Sequence, residues 1–243
     1  MKTSPSAEPT VSPREAVVAR RVQARWWIFS SLILIGLVLL LGAVITARNG
    51  AIEFDEEFMG ELVEHRSPFW DVPSLLFNLI GAGVIGVFVV PVTVAVLFLL
   101  ARRPWAALYW IASVAISAVV VQGVKQLFGR ARPEDILVVS DYGSFPSGHT
   151  ANAATMAVVL AIILRRAWVW VAGVVYTILM LLSRTYLGAH WLTDTIGGVL
   201  IGVGVAVILW TPVAHRLLRE PRGVWVWQRP DQSARSASRV LAS

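Results

Sequence analysis

"WWIFSSLILIGLVLLLGAVITA", residues 26–47, contains no charged side chain. A helix needs about 20 residues to cross a hydrocarbon core of roughly 30 Å, and this stretch supplies them. Five further stretches read the same way, near 73–100, 105–127, 148–165, 167–187 and 191–212. The fourth is the shortest and begins on polar residues. Alternation with period two is missing, which argues against a β-barrel. The expected fold class is therefore all-α, a polytopic bundle of six transmembrane helices. Composition agrees: the chain is 56% hydrophobic and 15% charged, whereas soluble domains run at roughly 45–50% and about 25%. The first apolar run exceeds the 7–15 residues or so of a signal peptide and follows a long polar tail, so it reads as a retained anchor.

The charges orient the bundle. Arginines fall in the N-terminal tail (Arg14, Arg20, Arg21, Arg25), in the turns after spans two and four (Arg102, Arg103, Arg165, Arg166) and in the C-terminal tail (Arg216, Arg219, Arg222, Arg229). With six alternating helices these share one side, which the positive-inside rule makes cytoplasmic. The loop 48–72 on the other side is acidic, with Glu53, Asp55, Glu56, Glu57, Glu61, Glu64 and Asp71. Residues 1–25 are expected to be a disordered basic cytoplasmic tail, 26–212 the membrane domain and 213–243 a second basic cytoplasmic tail. Trp26, Trp27, Trp105, Trp168, Trp170, Trp191 and Trp210 lie at span ends, as interfacial anchors do. The net charge of +6 is accounted for by this topology, and no nucleic-acid partner is expected. Cysteine is absent, which removes disulfides and thiolate metal sites.

Three polar clusters interrupt the apolar pattern, all on the outer side. "KQLFGRARP" (125–133) carries Lys125 and Arg132, seven apart and on one face if the helix persists. A snorkelling basic collar would account for them, although arginine serves as the collar elsewhere and Lys2 is the only other lysine. "FPSGHTAN" (145–152) offers Ser147 as an N-cap and Gly148 for close backbone approach, with His149 in the first turn. Such a helix start presents free N–H groups to an anion. "SRTYLGAHWLTD" (183–194) adds Arg184, and places His190 and Asp194 four apart, so that on one helix the carboxylate would hold the imidazole. No metal-ligand spacing is present. Three cations, a helix N-terminus, two histidines and a carboxylate at one membrane depth suit a phosphoryl group. A transporter of anionic lipids would also use a basic outer pocket, but would not require the histidines.

Lys125-x6-Arg132-Pro133, Pro146-Ser147-Gly148-His149 and Ser183-Arg184-x5-His190-x3-Asp194 resemble the three-part signature of the type-2 phosphatidic-acid phosphatase superfamily. That superfamily holds six-helix membrane lipid phosphatases, soluble acid phosphatases and vanadium haloperoxidases. The resemblance covers about residues 120–200. It implies His190 as the nucleophile of a phosphohistidine intermediate, Asp194 as its orienting partner and His149 as general acid. Lys125, Arg132, Arg184, Ser147 and the Gly148 amide would bind the phosphate. No metal and no cofactor are implied.

The substrate class that follows is a membrane lipid phosphate or diphosphate, met at headgroup level outside the cytoplasm. Arginine-rich, alanine- and valine-rich usage points to a bacterium, where relatives of this size recycle undecaprenyl diphosphate. That lipid is the leading expectation, with phosphatidylglycerol phosphate and phosphatidic acid as alternatives. Arg130 is either a contact for a second phosphate or a solvated interface residue. Residues 53–65 are expected to form a lid or an interfacial helix. No protein partner is indicated.

Overall fold

The structure, a computed structural model, describes residues 13–48, 51–81, 83–139 and 142–220. Among these residues every regular element is helical. In chain order they are α1 (Pro13–Ala47), α2 (Glu53–Glu64), α3 (Pro68–Gly81), a π-helical turn (Ile85–Val89) running into α4 (Val90–Leu100), α5 (Pro104–Phe128), α6 (Gly148–Leu164), α7 (Ala167–Tyr186) and α8 (Leu192–Leu217).

Four helices are long and apolar enough to cross a membrane: α1 over Arg25–Ala47, α5, α7 and α8. A fifth crossing arises if α3 and the Ile85–Leu100 run count as one span, for they meet at a bend of 48°. The stretch expected as a single second span is thus a broken helix. The reason lies in its glycines: Gly83 takes φ +61°, and a Cβ on Gly86 would lie 2.5 Å from the Gly81 carbonyl carbon. The Asn152 side-chain amide reaches from α6 and donates to the Gly81 and Gly86 carbonyls at 3.2 and 3.1 Å. A break at membrane depth is tolerated when such a group satisfies the freed carbonyls.

Helix α6, at 17 residues, is shorter than the other spans. It is buried on most of its circumference, through Ala151, Ala153, Ala154, Met156, Val159, Ala161 and Ile163, which fits a central position. Glycines on α8 bring the two helices close. A Cβ on Gly198 would sit 2.5 Å from the Ser147 carbonyl oxygen, and one on Gly202 2.5 Å from that of Ala151. Small residues at helix crossings are the usual packing device where no hydrophobic effect operates between helices. Large apolar side chains on α1, α3, α4 and α7 face outward, among them Leu40, Leu76, Leu99 and Val171.

Two boundaries differ from the expected layout. Helix α1 begins at Pro13, so residue 26 lies inside a helix, and α8 continues to Leu217. Residues 1–12 and 221–243, expected as tails, lie outside the described residues. Arg103, one of the turn arginines that orient the bundle, is 3% exposed. It pairs with Glu220 (3.7 Å), whose carboxylate also accepts the Trp105 and Ala106 amides at the start of α5. The arginine turns therefore gather at one end of the bundle, opposite the three polar clusters.

Candidate active site

Helix α5 ends at Phe128 because Gly129 turns left-handed (φ 54°) and returns its N–H to the Lys125 carbonyl. Lys125 and Arg132 consequently do not share a helix face, as their spacing had suggested. The chain folds back instead, and both reach one acceptor: Lys125 Nζ and Arg132 Nη2 each donate to the Gly143 carbonyl at 3.0 Å. Arg132 Nη1 also donates to the Ala189 carbonyl, tying this loop to the chain before α8.

Ser147 is the N-cap of α6, as expected, and its hydroxyl accepts from Thr150 Oγ1 at 3.1 Å. Its own N–H donates to the Asp194 main-chain oxygen at 2.9 Å. Beside it, Gly148 leaves the helix start open, and His149 sits in the first turn with Nε2 3.2 Å from the Asn78 carbonyl. Asn78 lies near the end of α3 and accepts from Arg184 Nη1 through its side-chain oxygen. One asparagine thus holds a histidine and an arginine together.

His190 and Asp194 are not on one helix. Trp191 caps α8 and His190 precedes it, while Asp194 occupies the first turn and accepts the Trp191 N–H at 2.9 Å. The imidazole Nδ1 lies 2.8 Å from the Ser144 carbonyl oxygen but 3.7 Å from Asp194 Oδ2. A carbonyl can only accept, so Nδ1 carries the proton and the Nε2 lone pair is left available. Beside the direct His190–Asp194 contact runs a relay through Ser144. The Ser144 hydroxyl donates a hydrogen bond to Asp194 Oδ2, and Ser144 presents its carbonyl to the ring. Burial pushes the His190 pKa down to about 4; Asp194 opposes that shift, while Arg184 and Arg132 add to it. At neutral pH the ring is an uncharged base.

These elements enclose a cavity of about 340 Å³. Lys125, Gly148, His149, Arg184 and His190 lie in its wall, whereas Arg132, Ser147 and Asp194 support that wall from outside. From this polar head the cavity follows α5 past Gln122, Val121, Ala118, Ser117 and Val114, and Gly83 and Val87 also line it. Among the described residues no carboxylate lines it. A group with an anionic head and an apolar tail fits that gradient.

Several participants carried no distinguishing signal in the sequence. Ser144 meets the ring through its main chain and Asp194 through its hydroxyl, and Asp55 is one acidic residue among many. Asn78 and Asn152 were findable as polar interruptions of apolar runs. Arg130 is neither solvated nor turned toward the cavity. It is 8% exposed and is held by Asp194 Oδ1 (2.6 Å) and Asp55 Oδ2 (2.8 Å).

Fold and site together define an integral membrane protein with an imidazole- and cation-lined cavity at one end of a helical bundle. The family model of the PAP2 superfamily matches residues 106–217. It is 30% identical over 127 residues to an undecaprenyl-diphosphatase of Sulfolobus acidocaldarius, covering 49% of this chain and 60% of that protein. To phosphatidylglycerophosphatase B of Bacillus subtilis it is 30% identical over 112 residues, 42% of this chain and 55% of that one. The matches thus span little more than half the length of these relatives. The crystal structure of a transmembrane PAP2 type phosphatidylglycerolphosphate phosphatase from Bacillus subtilis superposes with a TM-score of 0.64 at 25% identity, over 77% of this chain and 96% of that one.

Proposed function

We propose that this protein is a lipid phosphatase that removes the terminal phosphate of a lipid phosphate or diphosphate through a phosphohistidine on His190, without a metal ion. The observation that carries the reading is the placement of His190: Nδ1 lies 2.8 Å from the Ser144 carbonyl oxygen, which commits the Nδ1–H to it, and the residue lines the cavity with Lys125, Arg184 and His149. Nε2 attacks phosphorus, and the bond to the lipid oxygen breaks with its electron pair leaving on that oxygen. His149, in its protonated form, gives that oxygen a proton. Water then attacks the phosphohistidine while His149 takes one of its protons. The P–N bond breaks, phosphate leaves, and the lone pair returns to Nε2. Lys125, Arg184 and the Gly148 amide hold the phosphoryl oxygens. Arg132, Ser147 and Asp194 keep those groups in place, and fixed positive charge supplies what a metal would otherwise provide.

Undecaprenyl diphosphate is the proposed substrate, supported by the name of one relative and by the mainly apolar wall that Val114, Ala118 and Val121 give the cavity along α5. The phosphatidylglycerol phosphate reading has comparable support from the second relative and from the superposed structure. With α6 and the broken α3–α4 pair each taken as a crossing, the bundle has six spans. Both termini then lie in the cytoplasm and the cavity opens on the extracytoplasmic face. The test is phosphate release by purified protein in detergent with chelator present, from undecaprenyl diphosphate, phosphatidylglycerol phosphate and phosphatidic acid, with His190→Ala as blank. Release from one of them, unaffected by chelator, is expected. A folded protein that releases nothing but moves anionic lipid between leaflets would replace this reading with transport.

A further inference from the structure

Arg130 lies between the two motif cations yet faces away from the cavity, toward two carboxylates. Its Nη1 donates to Asp194 Oδ1 (2.6 Å) and to Thr193 Oγ1 (2.8 Å), and its Nη2 donates to Asp55 Oδ2 (2.8 Å). Asp55 comes from α2, far off in the chain, and also accepts the Thr193 N–H (2.9 Å) and hydroxyl (2.5 Å). It is 1% exposed, and Asp194 0%. The Arg130 guanidinium lies 5.5 Å from the Trp191 ring centroid, within cation–π range. The main chain of Arg130 takes part as well: its carbonyl accepts the Ser144 N–H at 2.8 Å. Ser144 in turn presents its carbonyl to His190 Nδ1. Arg130 therefore grips both sides of the relay behind the imidazole, and Asp55 sets how much of its charge is left for Asp194.

We propose that Arg130 and Asp55 are positioning residues for the reaction assigned above to His190, acting through Asp194 and Ser144. Their balance of charge sets how strongly the imidazole feels the Asp194 carboxylate. Helix α2 is on this reading a structural part of the active site rather than a lid over it. An alternating minus–plus–minus row shielded from water keeps its interactions strong, since a low-dielectric surrounding screens them little. The other charged or titratable groups around His190 are Lys125 on α5, Arg132 on the loop, His149 on α6 and Arg184 on α7. Arg130 bonds Asp194 directly and Asp55 bonds Arg130, so a change at either should reach the ring through Asp194.

The sign of the effect separates positioning from mere structural support. Removing the Arg130 charge exposes His190 to an unbalanced Asp194 and should raise the ring's midpoint. Removing the Asp55 charge leaves Arg130 less compensated and should lower it. The experiment is an NMR titration of histidine-labelled full-length protein in detergent micelles, with the His190 signal identified by its loss in His190→Asn. Phosphate release is measured in parallel. Arg130→Gln should move the midpoint up by roughly half a unit or more, and Asp55→Asn should move it down. Arg130→Lys, which keeps the charge, should return it close to the parent value. In turnover, both charge-removing variants should lose about tenfold or more in kcat with KM within about threefold, as loss of an effect felt in the transition state requires. If Arg130→Gln does not fold, Asp55→Asn and Arg130→Lys decide the matter. An unmoved midpoint, or shifts of the same sign in both variants, would overturn the proposal, as would a loss confined to KM. A parent protein that releases no phosphate would refute the phosphatase reading, while opposite shifts would still establish the coupling.

Discussion

His190 is held by the main-chain oxygen of Ser144 at 2.8 Å, and Asp194 stands one step behind at 3.7 Å. The residue that selects the tautomer is thus one whose side chain the ring never meets, and the carboxylate serves to hold that residue and the start of α8.

This division separates two kinds of variant. His190→Asn should lose about three orders of magnitude or more in phosphate release and keep a melting temperature near the parent's. Asp194→Asn should lose stability on the order of 3 kcal/mol, because buried Arg130 keeps only one of its two ionised partners. Thermal melting and phosphate release on the same preparations check both, and the reverse ranking would refute the relay.

Acid should act on both rate and stability. Protonated His190 has no lone pair to attack with, so kcat/KM should fall as pH drops through about 4. The ring binds its proton at 6.5 when unfolded and only near 4 in the fold. Between those values the unfolded chain binds the extra proton, so stability is lost as pH falls across that window. The loss amounts to about 3 kcal/mol by pH 4. Comparing melting of the parent with His190→Asn from pH 7 to 4 isolates this contribution, and parallel curves would rule it out.

Asn152→Leu removes both donors from the broken α3–α4 segment, leaving the Gly81 and Gly86 carbonyls short of a partner. A cost of about 2–4 kcal/mol is expected. Turnover should also fall, since α3 carries Asn78 against His149 and Arg184. A melting temperature equal to the parent's would show that the break is held by something else.

Two glycine substitutions should behave in opposite ways. Gly198→Ala places a Cβ 2.5 Å from the Ser147 oxygen and should push α6 from α8, at a cost of about 1–3 kcal/mol with loss of activity. Gly36→Ala meets nothing within 4 Å and should be neutral or stabilising by up to about 1 kcal/mol. Equal effects at the two positions would contradict the close α6–α8 contact.

Orthovanadate should inhibit competitively, since five-coordinate vanadium bonded to Nε2 would imitate the transition state. His190→Asn should lose vanadate affinity. Retained affinity in that variant would move the anion site away from the imidazole.

Sequence alone determined the helical class, the apolar runs of membrane-spanning length, and the residue types gathered for phosphate chemistry. Each of these is a local property: twenty apolar residues leave the backbone no hydrogen-bonding solution in lipid but a helix or a closed barrel, and Lys125, His149, Arg184 and His190 are scarce polar groups in apolar surroundings. The tertiary structure decided what contact across long chain distances alone can decide. Spacing put Lys125 with Arg132 and His190 with Asp194 on shared helix faces, yet Gly129 and Trp191 end or cap the helices in between. The pairs meet through main-chain carbonyls of Gly143 and Ser144, which every residue possesses and no motif records. Likewise Arg130 read as either a contact for a second phosphate or a solvated interface residue until Asp55 arrived from α2, because the cost of burying a charge is met only by a partner that the fold brings to it.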